Sequence, residues 1–191
     1  ETKNNHFNLI HSNLPSLLSK CASKKMLDQF IHVSALGIEK ATDSNYALSK
    51  LDGEKNVREN FPKSVILKPS IVYSVDDNFT TNFMKLLSIL PIMPLYYGGK
   101  TKFTPIHVSD FSNIIYEIVQ KKITGETLEC IGPEVFTFKE ILLKILKSIN
   151  KKRILFPLPF FLAKLNAKIF QLMPKPILTM DQLKLLKYDN I

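Results

Sequence analysis

The chain has no tryptophan, only six glycines, only two cysteines, and only two arginines (Arg58 and Arg153) among its 26 basic residues. Each shortage excludes something. The glycines, Gly37, Gly53, Gly98, Gly99, Gly125 and Gly132, form no Gly-x-Gly-x-x-Gly or near variant. This stretch of sequence therefore carries no glycine turn that would lay a pyrophosphate over a helix N-terminus. A net charge of +9 with lysines scattered and arginine almost missing argues against a nucleic-acid reader, which needs clustered bases and favours arginine. An anionic membrane surface or an acidic protein partner is a better use of that charge. Cys21 and Cys130 follow no metal or redox spacing, which suits a reducing compartment. His6, His11, His32 and His107 show no ligand pattern, so no metal site is expected. No run approaches the roughly 18 apolar residues of a membrane span, and the opening residues lack the regions of a signal peptide, so a soluble or peripheral protein is expected.

With 45% of its 191 residues apolar, the chain can bury a real core as one domain, or one domain with an appendage. Asn13 as a cap and Pro15 in the first turn predict a helix over 14–22, with Leu14, Leu17, Leu18 and Cys21 along one stripe. The apolar stretch 30–34 reads as a strand buried on both faces of a parallel sheet. A helix over 45–59 and a strand over 64–67 complete a strand, helix, strand unit, the right-handed crossover of doubly wound folds. Downstream, the pattern predicts a helix over 78–90 closed by Pro91, a loop to Gly99, a strand over 103–108, a helix from about Asp110 to Gln120, and a strand over 126–131. Thr137 and Glu140 form a capping box ahead of a helix whose buried stripe is Ile141, Leu142, Ile145, Leu146 and Ile149. A strand at 154–156 follows. The helix expected over 160–173 is apolar nearly all round except for Lys164, Lys168 and Gln171, so it either packs inside or lies on a partner or membrane surface. A second capping box, Thr179 to Gln182, opens the last helix.

Between the first two strands lies Tyr46-Ala47-Leu48-Ser49-Lys50. A tyrosine and a lysine four apart share a helix face with roots about 5–6 Å apart. A phenol becomes a useful acid near neutrality only if a fixed positive charge favours its phenolate, and a hydroxyl at a strand end, such as Ser34, would hold a substrate oxygen beside it. A second copy, Tyr96 to Lys100, follows Pro94 and contains Gly98-Gly99, which is turn chemistry and would not keep a helical register.

Ile31-His32-Val33-Ser34-Ala35-Leu36-Gly37, the Tyr46 to Lys50 motif with Gly53-Glu54 behind it, and Ile66-Leu67-Lys68-Pro69-Ser70-Ile71-Val72-Tyr73 resemble the extended and atypical short-chain dehydrogenase/reductases, the NAD-dependent epimerase/dehydratase type. Phe103-Thr104-Pro105-Ile106-His107-Val108-Ser109-Asp110 and Leu178-Thr179-Met180-Asp181-Gln182-Leu183 extend the likeness, most of all to the NAD(P)H-binding accessory subunit of respiratory complex I and its bacterial relatives. The resemblance implies an α/β fold: the C-terminal part of a Rossmann-type doubly wound parallel sheet, plus a smaller, mostly helical C-terminal subdomain. It implies a partial NAD(P)-binding domain over 1–132, with 74–104 as an excursion toward the substrate side, and a substrate or partner subdomain over 133–191. The family's first strands and glycine turn have no counterpart in the sequence, and a fragment of a longer protein is expected.

Carried over by resemblance, Tyr46 would be the acid/base, Lys50 would lower its pKa and bond the nicotinamide ribose, and Ser34 would orient the substrate oxygen. The backbone of Pro69, Ser70, Ile71 and Val72 would meet the nicotinamide end of NAD or NADP. Ser34 precedes Tyr46 by only 12 residues, a shorter gap than the extended enzymes use, which points to a structural serine. Two functions follow: a non-catalytic accessory or assembly subunit of complex I, peripheral to a bacterial inner membrane or on the mitochondrial matrix side, or a soluble epimerase, dehydratase or reductase acting on a nucleoside sugar or other carbonyl or hydroxyl substrate.

Overall fold

Val65, Ile66 and Leu67 are almost wholly buried, as befits a strand covered on both faces. The computed structural model of the protein describes residues 6–158 and 180–191. A π-helical stretch, Leu9–Asn13, runs into α1 (Leu14–Lys24), followed by β1 (Ile31–Val33), a 3-10 turn (Ile38–Lys40), α2 (Asn45–Asn60), β2 (Val65–Pro69) and β3 (Val72–Tyr73). Next come α3 (Asn78–Ile89), β4 (Ile92–Leu95), a 3-10 turn (Tyr96–Gly99), β5 (Lys102–Phe103), β6 (Ile106–His107), α4 (Val108–Gln120) and β7 (Thr127–Cys130). The described elements end with β8 (Phe136–Thr137), α5 (Phe138–Ser148), β9 (Ile154–Pro157) and α6 (Met180–Leu185). The chain packs as two units: Glu1–Ser70 with Val108–Ile131, and Ile71–His107 with Gly132–Ile191. The excursion expected at 74–104 thus packs with the later residues.

In the first unit, β1, β2 and β7 form a parallel sheet in the order β1-β2-β7, with Ile31 opposite Val65 and Leu67 opposite Leu128. The central strand is β2. Among the described residues β1 pairs only with β2, and Val33 is 40% exposed, so the two-sided burial expected of residues 30–34 belongs to β2 instead. Helix α2 starts where expected because Ser44 Oγ accepts the Ala47 N–H, satisfying one of the donors a helix start leaves open.

Asn13 does not cap α1. Its own backbone is helical and its side chain makes no cap bond, because the π-helical stretch continues the helix upstream. The face of α1 also differs from expectation. Pro15, Ser19 and Ala22 are its buried residues, whereas Leu14, Leu17, Leu18 and Cys21 are exposed. The reason is chemical: α2 offers asparagines to this helix and to the π-helical stretch before it, with Asn56 donating to Ser12 Oγ at 2.9 Å and Asn60 donating to Ser16 Oγ at 3.1 Å. Small polar side chains make that seam, so the leucine stripe turns outward.

In the second unit, β3 pairs with β6 and β4 with β9, both parallel, while β5 and β8 are antiparallel. The core gathers Phe83 and Leu87 of α3, Met93 and Leu95 of β4, and Phe138 and Leu142 of α5. The capping box is present, Thr137 Oγ1 accepting the Glu140 N–H while the Glu140 carboxylate accepts the Thr137 N–H. Two expectations are corrected. The stretch expected as a loop before Gly99 contains β4, which finds its partner in β9, far along the chain. The strand expected over 103–108 is two short strands separated by Thr104-Pro105. Tyr96 does begin a turn, with Tyr97 and Gly98 both at positive φ, so the second Tyr-x-x-x-Lys copy is not helical in register. The expected helix over 160–173 and the Thr179 cap lie outside the described residues. No described helix is long and apolar enough to cross a membrane.

Candidate functional site

β1 and β2 run parallel, so Ser34 and Ser70 leave the sheet at the same, carboxyl end, the edge where open α/β sheets take their ligands. Ser34 is 4% exposed, and its N–H donates to the Leu67 carbonyl at 2.7 Å. Tyr46 lies in the first turn of α2, and Lys50 stands one turn further on. Lys50 Nζ donates to the Val33 carbonyl at 3.0 Å, tying this face of the helix to the end of β1. The Tyr46 ring is half-buried and meets His11 edge to face at 5.1 Å and Phe7 at 6.0 Å. Tyr46, Lys50 and the strand end before Ser34 are therefore brought together.

Ser34 is committed elsewhere. Its hydroxyl donates to Glu54 Oε1, and Glu54 Oε2 lies 3.1 Å from Lys68 Nζ, which also pairs with Glu39. The side chains of Lys68 and Glu54 are 12% and 13% exposed, so this is a nearly buried ion pair with the serine as an added donor. Burial works to lower the Lys68 pKa, but its hydrogen bonds to Glu39 and Glu54 prevail and hold it above the ordinary lysine value.

The other charges compete around Tyr46. Burial lowers the Lys50 pKa, with Glu54 opposing it. His32, on β1, is pushed down to about 4 by burial, then by the charge of Lys50 and by His11. His11 is lowered by burial and by Lys50 and His6, while its Nδ1 lies 3.0 Å from Ser49 Oγ. Both imidazoles leave the positive charge to the lysine. His32 Nε2 is buried without a hydrogen-bond partner among the described residues.

Pro69 ends β2, and its carbonyl accepts the Leu36 N–H at 2.9 Å; the Ser70 N–H donates to the Cys130 carbonyl at 3.1 Å. Ile71 and Val72 belong to the second unit, where the Ile71 carbonyl accepts the Ile106 N–H and Val72 pairs with Ile106. The sequence alone assigns no role at the site to Glu54 or His11. Tyr46, Lys50 and Glu54 recur every four residues on one helix face, a signal that was present. His11 reaches the site from a separate helix, and no local pattern announces it. Among the described residues no group of His, Cys, Asp and Glu is placed to hold a metal ion.

No family model matches the chain. It is 28% identical over its whole length to the mitochondrial NADH dehydrogenase (ubiquinone) 1 alpha subcomplex subunit 9 of Mus musculus, covering 51% of that protein. It is 32% identical over 74% of its length to the same subunit of Dictyostelium discoideum, covering 39% of it. The chain thus spans about half the length, or less, of the curated relatives it matches. Among solved structures, a dTDP-4-dehydrorhamnose reductase from Clostridium acetobutylicum superposes with a TM-score of 0.70 at 16% identity, over 98% of this chain and 74% of that one. A dTDP-glucose 4,6-dehydratase from Streptomyces venezuelae, solved with NAD, superposes at 0.67 and 17% identity, over 96% and 66%. The fold is of the Rossmann type. The likeness to a subunit of mitochondrial NADH dehydrogenase (ubiquinone) extends over the whole of the chain.

Proposed function

We propose that the protein containing this chain is an NAD(P)-binding, short-chain dehydrogenase/reductase-like accessory or assembly subunit of respiratory complex I that holds its dinucleotide without turning over a substrate. The Ser34 hydroxyl carries this reading, because a serine donating into the nearly buried Glu54 and Lys68 pair is a structural group and not one waiting for a substrate oxygen. Similarity along the whole chain to a complex I subunit supports the same reading. Tyr46 and Lys50 hold the ribose and nicotinamide end, and the backbone of Pro69, Ser70, Ile71 and Val72 meets the nicotinamide. The six glycines present supply no cradle for the pyrophosphate. The first unit, on this reading, is the dinucleotide-binding part and residues 133–191 the partner part. The protein sits peripherally on the inner membrane, on the matrix side or its bacterial equivalent.

A soluble reductase, epimerase or dehydratase is the second reading, favoured by Lys50 standing at Tyr46 with its pKa lowered. Two variants in the whole protein separate the readings. In a retained-cofactor subunit, Tyr46→Phe leaves nucleotide content and co-migration with complex I on native gels intact, while Lys50→Ala loses the nucleotide. An NAD(P)H-dependent turnover that falls about 100-fold or more in Tyr46→Phe would establish the enzyme instead.

A further inference from the structure

The second unit contains a cavity of about 450 Å³, within the roughly 300–1,000 Å³ range of small-molecule sites. We propose that it binds a single-chain amphiphile: an alkyl or isoprenoid chain with a small polar head. The inner wall is hydrocarbon. Ile141 and Ile145 of α5 are buried, and Ile71, Phe79 and Phe136 are half-buried around them. Among the described residues Thr80 is the one inner hydroxyl of the lining, and it already donates to Asp77, the residue that caps α3. A nucleoside sugar would bring many hydroxyls to an inner wall whose described residues leave them unpaired, and each buried unpaired group weakens binding. A chain of methylenes meets no such penalty.

The mouth is different. Tyr73, Met84, Glu134, Lys144 and Ser148 line it and are exposed, so its charged groups have opposite signs. Lys144 Nζ stands 4.3 Å from the centre of the Phe136 ring, which holds the ammonium at the edge of the apolar wall. A carboxylate and an ammonium at one opening suit a neutral or zwitterionic head and select strongly against neither sign. The site shares Ile71 with the proposed nicotinamide contact, so the test is run without dinucleotide; its other described lining residues take no part in that reading.

The test titrates the protein, without dinucleotide, with dansyl-labelled undecanoic acid and then displaces the probe with a series of unlabelled n-alkanols. Binding is expected to saturate below the micellar concentration, and displacement should tighten about threefold to fourfold per added methylene until the cavity is full. Met84→Trp and Ser148→Trp place an indole at the mouth, and either, with an unchanged thermal melt, should weaken the probe at least tenfold. Chain-length dependence that survives in a folded tryptophan variant would put the probe on an exposed apolar surface such as α1 and overturn the site. Absence of saturable binding, or displacement by UDP-glucose but not by alkanols, would overturn it as well.

Discussion

Gly53 of α2 lies so close to His11 that a Cβ built on it would stand 1.9 Å from the His11 carbonyl oxygen. That approach seats the N-terminal helical segment on α2 and brings the His11 ring against Tyr46 one side chain away. Gly53→Ala therefore has two opposing effects. Alanine improves helix propensity by about 1 kcal/mol, but the obstacle is backbone and cannot rotate aside, so the two helices must part. The clash wins. Gly53→Ala is expected to destabilise the protein by about 1–3 kcal/mol in urea melts, and the ring contact between His11 and Tyr46 should be lost from NMR cross-peaks. Unchanged stability with the contact kept would refute the close approach.

Ser34, Glu54 and Lys68 give an order of severity. Lys68→Met leaves the nearly buried Glu54 without its ion-pair partner, with Lys50 still acting on it; the change costs about 3–5 kcal/mol for a fully buried pair and somewhat less here. Ser34→Ala removes one donor but leaves the ion pair, so about 1 kcal/mol is expected. Chemical denaturation of both variants should rank them in that order, and Ser34→Ala should keep its bound nucleotide. A Ser34→Ala that folds normally but loses nucleotide would return the serine to the ligand site.

Much of this arrangement was legible because its signals are local. The Tyr46 and Lys50 spacing on α2, the Thr137 and Glu140 box and the diglycine after Tyr97 each act within a few residues. Features set by distant partners were not. Leu14, Leu17 and Leu18 have the spacing of a buried stripe, yet hydrogen bonds from Asn56 to Ser12 of the π-helical stretch and from Asn60 to Ser16 of α1 decide which face turns inward. β4 contains Pro94 and follows Pro91, a composition that reads as a loop until β9 is placed beside it. Periodicity says that a helix has two faces; only the partner says which one is covered. The same limit applies to the site, where Tyr46 and Lys50 are visible as a pair but the role of Ser34 depends on Glu54 and Lys68.

The buried His32 makes stability depend on pH in a definite direction. Its pKa in the folded protein is about 4, held there by burial and by the charges of Lys50 and His11, against an ordinary value of 6.5 in the unfolded chain. Above about pH 6.5 both states hold it neutral and it contributes no slope. Between about 6.5 and about 4 the unfolded chain takes up a proton that the folded one refuses, so stability falls as the solution is acidified, by at most about 1.4 kcal/mol per pH unit from this group. His11, shifted the same way, adds to the slope. His32→Leu removes an imidazole whose Nε2 has no partner among the described residues and should flatten the acid limb of the profile while leaving stability near pH 7.5 no lower. Lys50→Met offers an independent check, because deleting its charge should raise both imidazole pKa values in a folded protein, read from ring proton shifts in an NMR titration. An acid limb of equal slope in His32→Leu, or imidazoles unmoved by Lys50→Met, would mean that the positive charges around Tyr46 do not sense one another as the geometry requires.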